Sequence, residues 1–424
     1  MTEQVAEERA YAKVTARLLP FLFVCYLAAY LDRVNVGFAK LQMLGDLGLS
    51  ESMYGLGAGI FFVGYFFFEV PSNILLHRVG ARRWIARIMI TWGLLSSLTM
   101  FVRTPGVFYA TRFLLGVLEA GFFPGIILYL TYWYPAARRA RMTALFMTAV
   151  PVTGVLGGPL SGLVMTSLAG KNGWAGWQWL FLVEGIPSIV LGALTLVRLD
   201  DGPREARWLT ADEKALLAAA LEKEDRARAH LPLRLLFRSG RLWLLCLVYF
   251  LLVMGLYGVS FWLPTLIKAT GVADPFRVGL LTAIPYGAAT ISMLTVARSA
   301  DLTGERRWHV AVPALVGAAG FGATALWGTT TATAVLTLTF ATLGALAALP
   351  SFWSLPTSFL GGAAAAAGIA LVNSIGNLAG FVSPYLFGLI KERTQGTAAS
   401  VAVLALSLSL AAAVVLGGIP AERR

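Results

Sequence analysis

The sequence predicts an all-α membrane protein of about twelve transmembrane helices, arranged as two pseudo-symmetric six-helix bundles. Three observations predict it. The composition is too apolar for a soluble fold. The apolar residues arrive in membrane-length blocks. One short motif recurs at matching places in the two halves.

Of 424 residues, 58% are hydrophobic and 13% are charged, and the mean hydropathy is +0.73. A soluble globular chain is about a quarter charged. Halving that share leaves too little polar surface to cover a soluble fold of this length. The apolar blocks are about 18 residues or longer, enough to cross a bilayer core of roughly 30 Å. The first block, Leu18 to Phe38, is too long for a secretory signal peptide and is followed by more of its kind.

Apolar blocks bounded by charge and by Gly or Pro predict helices near 18–38, 53–77, 83–102, 106–134, 140–168 and 177–198. A second set is predicted near 241–268, 276–300, 308–328, 332–359, 362–390 and 397–418. The domains follow: an N-terminal segment 1–17, a six-helix bundle 18–198, a polar linker 199–240, a second bundle 241–418 and a tail 419–424. Within the linker, Asp201-Gly-Pro ends one helix. Thr210-Ala-Asp-Glu213 then reads as a capping box opening an amphipathic surface helix.

The net charge of +12 invites a nucleic-acid reading, which its distribution rejects. Arg78, Arg82, Arg83 and Arg87 share one short loop, and Arg138, Arg139 and Arg141 another. Further cations lie in the stretch from Arg198 to Arg241 and around Arg298, Arg306 and Arg307. Placing these loops in the cytoplasm satisfies the positive-inside bias and puts both termini there. The opposite loops hold scattered cations, Lys40 and Lys391 among them. The surface partner is therefore lipid, not nucleic acid. Cys25 and Cys246 read as packing residues. No phosphate-binding Gly-Lys loop, His/Cys metal cluster or Ser-His-Asp set is present, so no enzyme chemistry, cofactor or metal is expected.

The third observation is the repeat. Gly80-Ala-Arg-Arg-Trp84 follows the second predicted helix and Gly304-Glu-Arg-Arg-Trp308 the eighth, about half the chain apart. Two halves of this kind hold substrate between them near mid-membrane in many secondary transporters. The segments Asn73 to Arg82 and Ala297 to Arg306 resemble the loop motif of the major facilitator superfamily. In the first copy Asn73 replaces the leading Gly and His77 the Asp, whereas the second keeps Asp301. That departure, with Tyr30-Leu-Asp-Arg-Val-Asn35, Glu69-Val-Pro-Ser-Asn73 and the stretch Arg112 to Pro124, resembles the anion:cation symporter family. The stretch from Phe352 through Asn377 is most similar to bacterial tartrate-type permeases. Sugar-acid and aromatic-acid permeases, sialin and vesicular glutamate transporters are further members or relatives. The likeness spans nearly the whole chain and implies the major facilitator fold in a bacterial inner membrane.

Ionisable residues inside the predicted helices are few: Asp32, Arg33, Glu69, Arg112, Glu119 and Glu184. Each costs several kcal/mol at mid-bilayer by insertion scales, so each needs a partner, a wet cavity or a job. Arg112 and Glu119 are two turns apart on one face that also carries Gly116 and Ala120, which reads as lining a central cavity; a structural ion pair is the alternative. Asp32 and Arg33 are adjacent and point apart around their helix. Asp32 comes to a depth similar to Arg112, so a pair between these two is expected, or else Asp32-Arg33 forms an interfacial pair that snorkels to water.

An Arg can accept a substrate carboxylate in bidentate fashion. If the anion took an Arg from Asp32 or Glu119, the released acid would favour a proton, and anion and proton would bind together. The resemblance implies the same roles: acids at Asp32 and Glu119 for the proton, arginines at Arg33 and Arg112 for the anion or gating.

Tyr30, Tyr65, Asn373, Asn377, Trp353, Ser354, Tyr257 and Tyr286 complete the expected substrate site. Helix–helix glue is the plainer reading of the two asparagines, and packing that of Tyr257 and Tyr286. Trp353 and Ser354 precede an expected helix break at Pro356. Glu69 before Pro71 and Glu184 before Pro187 read as binding freed backbone groups or loop cations. His77, Arg78, Gly80, Arg82, Asn73, Asp301, Gly304 and Arg306 read as loop-motif and gating residues. The glycines 154, 158 and 162 and the run Gly361 to Gly368 read as helix packing. The expected function is a monomeric proton:organic-anion symporter. An efflux antiporter is the rival, because Gly154 to Gly162 partly resembles a drug-antiporter motif.

Overall fold

The computed structural model describes residues 3–227, 239–359 and 362–419. Twelve helical spans among them are long and apolar enough to cross a membrane. Spans 1 to 6 are Val5–Asp46, Glu51–Val79, Ala81–Phe101, Pro105–Thr131, Arg141–Ser167 and Gly176–Arg198. Spans 7 to 12 are Gly240–Lys268, Pro275–Ala300, Arg307–Trp327, Thr331–Pro356, Gly368–Thr394 and Ala398–Gly418. The linker helix is Ala211–Ala227. Its capping box forms as the sequence indicates. The Thr210 N–H donates to Glu213 at 2.9 Å and the Glu213 N–H to the Thr210 hydroxyl at 3.2 Å.

Span 1 is longer than expected at both ends. Charges at Glu7, Glu8, Arg9, Lys13 and Arg17 interrupt its apolar run, which hides an amphipathic stripe. Ala10, Tyr11, Val14 and Leu18 recur at helical spacing and are buried. Tyr11 stacks on Tyr134 at 5.9 Å, and Lys13 reaches Glu213 of the linker helix at 2.9 Å. At the other end Lys40, expected in a loop, lies inside the helix Val36–Asp46 and is 4% exposed. The expected break at Pro356 is absent too. That helix runs from Thr331 to Phe359 through both Pro350 and Pro356, since neighbouring helices can re-satisfy the backbone group a proline frees.

Several spans are jointed near mid-depth instead. Span 4 is divided into Pro105–Glu119 and Phe122–Thr131. Gly121 between them has φ +88°, a left-handed conformation that suits glycine. Span 1 tightens at Asn35, where the Phe38 N–H bonds the Asn35 carbonyl three residues back at 2.9 Å. Span 11 does the same at Leu378.

The halves meet along span 5 with span 8, span 2 with span 11, and the Val36–Asp46 part of span 1 with span 7. Small residues allow the approach, as expected for glycines 154, 158 and 162: a Cβ on Gly158 would stand 2.8 Å from the Gly279 carbonyl. The side chains through residue 367 in the run Gly361 to Gly368 lie outside the described residues.

Polar contacts lace the halves together at the end remote from the linker. Glu51 of span 2 pairs with Lys40 of span 1 at 2.5 Å and with Lys391 of span 11. Lys40 also sits 3.6 Å from the ring centroid of Trp262 in span 7. That ring stacks on Phe387 at 4.3 Å. Glu392 accepts from the Ser50 hydroxyl and the Ser52 N–H, both at 2.8 Å. These contacts tie the two halves together at the far end.

Candidate transport site

Arg33 and Glu119 form a buried ion pair between spans 1 and 4. Arg33 Nε donates to Glu119 Oε1 at 3.1 Å, and Nη2 reaches the same oxygen. Both residues are buried. Glu119 is the last residue of its half-helix, so the joint at Gly121 delivers it toward span 1. The Arg33 guanidinium sits 5.4 to 5.9 Å from the ring centroids of Tyr65, Phe61 and Tyr30. Aromatic faces at that distance favour a cation.

Arg112 is different. It is fully buried, lies 5.1 Å from the Phe61 ring centroid, and among the described residues donates to the carbonyls of Gly57 at 3.4 Å and Ala58 at 3.5 Å. Both bonds are at the long limit for N–H···O. No carboxylate pairs with it among the described residues. The Gly116 position, expected to line a central cavity, packs on span 2 instead, where a Gly116 Cβ would stand 3.0 Å from the Tyr65 nitrogen.

Asp32 is turned away from both arginines, which corrects the expected Asp32–Arg112 pair. It accepts from Trp92 Nε1 at 2.9 Å and Ser96 Oγ at 2.9 Å in span 3, and from Ser188 Oγ at 2.6 Å in span 6. Adjacent helical residues point about 100° apart. When Arg33 faces span 4, Asp32 must face spans 3 and 6. It is also buried, so it does not snorkel.

The second half supplies the other wall. The Tyr30 hydroxyl lies 3.3 Å from Ser260 Oγ, and Tyr286 donates to the same oxygen at 3.5 Å. Tyr257 is buried against Phe62, with ring centroids 4.5 Å apart, and Arg33 is an electrostatic neighbour of its hydroxyl. Asn373 Nδ2 donates to Glu69 Oε1 at 3.3 Å across the halves. Glu69 therefore meets a side-chain amide, not the backbone group or loop cation expected. Asn377 is half-buried one turn on, beside the joint at Leu378.

Trp353 and Ser354 stand apart from this cluster. Trp353 packs edge-on against Tyr249 at 4.7 Å. The Ser354 hydroxyl bonds the Ser351 carbonyl at 2.6 Å, and its own carbonyl accepts from Arg306 at 3.0 Å. Sequence reasoning missed Ser260, Trp92, Ser96 and Ser188, for which single polar residues in apolar helices give no distinguishing signal. Glu69 and Glu184 carried a signal, as membrane-buried acids, but were assigned to freed backbone groups or loop cations.

The loop-motif residues lie at the linker end. Gly80 has φ +98° and breaks spans 2 and 3 apart. The Arg82 N–H is capped by Asp201 Oδ1 at 2.8 Å, a carboxylate brought from the end of span 6. His77 Nδ1 lies 3.0 Å from the Tyr132 hydroxyl, Arg78 is exposed, and Asn73 is half-buried. In the second copy Gly304 has φ +68°, and Glu305 accepts from the N–H groups of Arg307 at 3.1 Å and Trp308 at 2.8 Å. The side chain of Asp301 lies outside the described residues.

The sequence pattern described as Major Facilitator Superfamily matches residues 22–384. The chain belongs to that superfamily. A protein named putative metabolite transport protein NicT, from Pseudomonas putida, is 49% identical over 97% of this chain and 94% of its own. A putative tartrate transporter from Agrobacterium vitis is 48% identical over 97% and 94%. A quinolone resistance transporter from Acinetobacter baumannii is 40% identical over 94% and 92%. The fold matches a bacterial homologue of the human lysosomal transporter Spinster, in an inward-facing and occupied conformation, with TM-score 0.76 at 16% identity, covering 95% of this chain and 96% of that one. The superfamily carries solutes across membranes, and this chain is a transporter, not an enzyme.

Proposed function

We propose that the protein takes up a small organic anion, such as tartrate or a sugar acid, together with a proton, by alternating exposure of the site between the two bundles. The observation that carries this reading is Arg112. A fully buried guanidinium with no carboxylate paired to it among the described residues is costly, and a substrate carboxylate would supply the missing charge. Arg33 lies across the Phe61 ring and is neutralised by Glu119, so an incoming anion can compete for it. Glu119, once released, takes a proton, and anion and proton are bound in the same step. Tyr30, Tyr65, Tyr257, Tyr286, Asn373 and Asn377 offer hydroxyls and amides for the rest of the substrate. The name borne by the Agrobacterium relative supports tartrate as the first anion to test.

In this reading the chain lies in a bacterial inner membrane with both termini and the basic loops in the cytoplasm. The far end then faces the periplasm. The two bundles and the linker are the domains, and a monomer contains the whole site.

The test is uptake into proteoliposomes under an imposed pH gradient, with tartrate, galactonate, glucarate and 4-hydroxyphenylacetate. One anion should accumulate with inward proton flow, and Glu119→Gln should stop the accumulation. Accumulation that persists in Glu119→Gln sinks the coupling scheme. The quinolone-resistance relative favours a second reading, proton-coupled efflux of a drug-like compound. Outward movement of a cationic drug with no anion uptake would establish it.

A further inference from the structure

Behind the ion pair, spans 1, 5 and 6 enclose a second polar group that the transport scheme does not use. Glu184 of span 6 is 1% exposed. Its Oε1 accepts from Ser161 Oγ at 2.7 Å, and its Oε2 is buried without a hydrogen-bond partner. Asn35, at the joint in span 1, is also 1% exposed. Its side chain caps no helix, and among the described residues no well-formed hydrogen bond holds either of its amide atoms. It is a neighbour of Glu184 and lines a small cavity with Ser161, Tyr30, Ser260 and Tyr286.

The contrast with Asp32 is chemical. Both Asp32 oxygens are filled by three donors, one of them an indole N–H that can only donate. That pocket fits a carboxylate. The Glu184 pocket has one donor and an idle amide. A protonated Oε2 can donate to Asn35 Oδ1, and after ionisation the rotated amide can donate from Nδ2. A side-chain amide can serve both states of an acid.

We propose that Glu184 is a proton-holding site of the transport cycle, with Asn35 as its switchable partner. The inference rests on the symport reading for its place in the cycle. The proton sits on Oε2 and leaves to water admitted through the cavity that Asn35 shares with Tyr30, Ser260 and Tyr286. No bond other than O–H is made or broken. The titratable group nearby from span 1 is Asp32, which accepts from Ser188 at 2.6 Å one turn along span 6 from Glu184. Span 5 presents Ser161, and span 3 presents Trp92 and Ser96, both turned to Asp32. In the Val36–Asp46 part of span 1, Lys40 is held by Glu51 and Asp46 by Trp177 at 2.7 Å.

The experiment is infrared difference spectroscopy of the reconstituted protein between acid and alkaline pH. The wild type should show the stretch of a protonated buried carboxyl. The band should vanish in Glu184→Gln and shift in Asn35→Leu, which removes the acceptor and keeps Glu184. A band unchanged in both variants overturns the proposal. Proton entry during uptake of the four anions above separates the two claims. A wild type that carries an anion without protons ends the symport reading, and the infrared band still decides whether Glu184 holds a proton. A coupled wild type with undiminished proton entry in Glu184→Gln overturns the role in transport.

Discussion

Arg33 and Glu119 neutralise each other across spans 1 and 4, while Arg112, two turns before Glu119 on the same helix, bonds just the carbonyls of Gly57 and Ala58 among the described residues. One buried arginine is satisfied by the protein and the other is not. The asymmetry separates a group that can switch partners from a group that waits for one.

Arg112→Lys should fail although it keeps the charge. An ammonium cannot make the planar two-point contact with a carboxylate. We expect anion uptake to fall at least tenfold, equivalent to about 1.4 kcal/mol in binding, with the melting temperature of the detergent-solubilised protein little changed. Uptake assays on matched amounts of protein check it.

Glu119→Gln should be destabilising as well as uncoupled. Removing one partner of a buried ion pair leaves a lone charge and costs about 3–5 kcal/mol. Replacing both, as Arg33→Met with Glu119→Gln, should recover most of the lost thermal stability without recovering transport. A double variant no more stable than Glu119→Gln alone would show that the pair contributes little to holding spans 1 and 4.

Glu51→Gln should loosen the far end. It removes the anion shared by Lys40 and Lys391 and leaves Lys40 buried without a countercharge. With Ser50→Cys as reporter, maleimide labelling should accelerate several-fold when Glu51→Gln is added. The native cysteines are both buried. An unchanged labelling rate would place the seal elsewhere, in the stack of Trp262 on Phe387.

The linker helix should undock in acid. The Thr210 N–H and Lys13 hold the Glu213 carboxyl below its ordinary value of 4.5. A depressed folded-state value means the stabilisation is present above the unfolded value and is lost as pH falls through the folded one. Hydrogen exchange across Ala211–Ala227, corrected for its intrinsic pH dependence, should therefore speed up below about pH 4.5. Glu213→Gln should abolish that acid dependence.

The positions of the spans were legible because block length and charge are one-dimensional signals. Span 1 was underestimated because its docked turns carry charge on one face, which shortens an apolar run without ending a helix. The buried acids and arginines were legible as types, since charge in an apolar helix needs an explanation. Their pairing was not. Depth along two helices placed Asp32 beside Arg112, but azimuth decides contact, and azimuth depends on how spans 1, 3, 4 and 6 pack. Pro356 misled for a related reason. A proline removes a donor, yet whether the helix bends there is decided by its neighbours. Glu69 was visible, and its partner Asn373 was visible, but nothing along the chain joins residues from opposite halves.

Asp201 has a consequence for how this chain can be divided. The first loop motif carries His77 where its superfamily pattern has an acid, and the carboxylate that caps span 3 comes instead from beyond span 6, at the threshold of the linker. The N-terminal bundle is therefore not self-sufficient at its last apolar residue. A gene split into two co-expressed pieces would have to cut after Asp201, because a first piece ending at Arg198 would leave span 3 with an open helix end and its loop without an anchor.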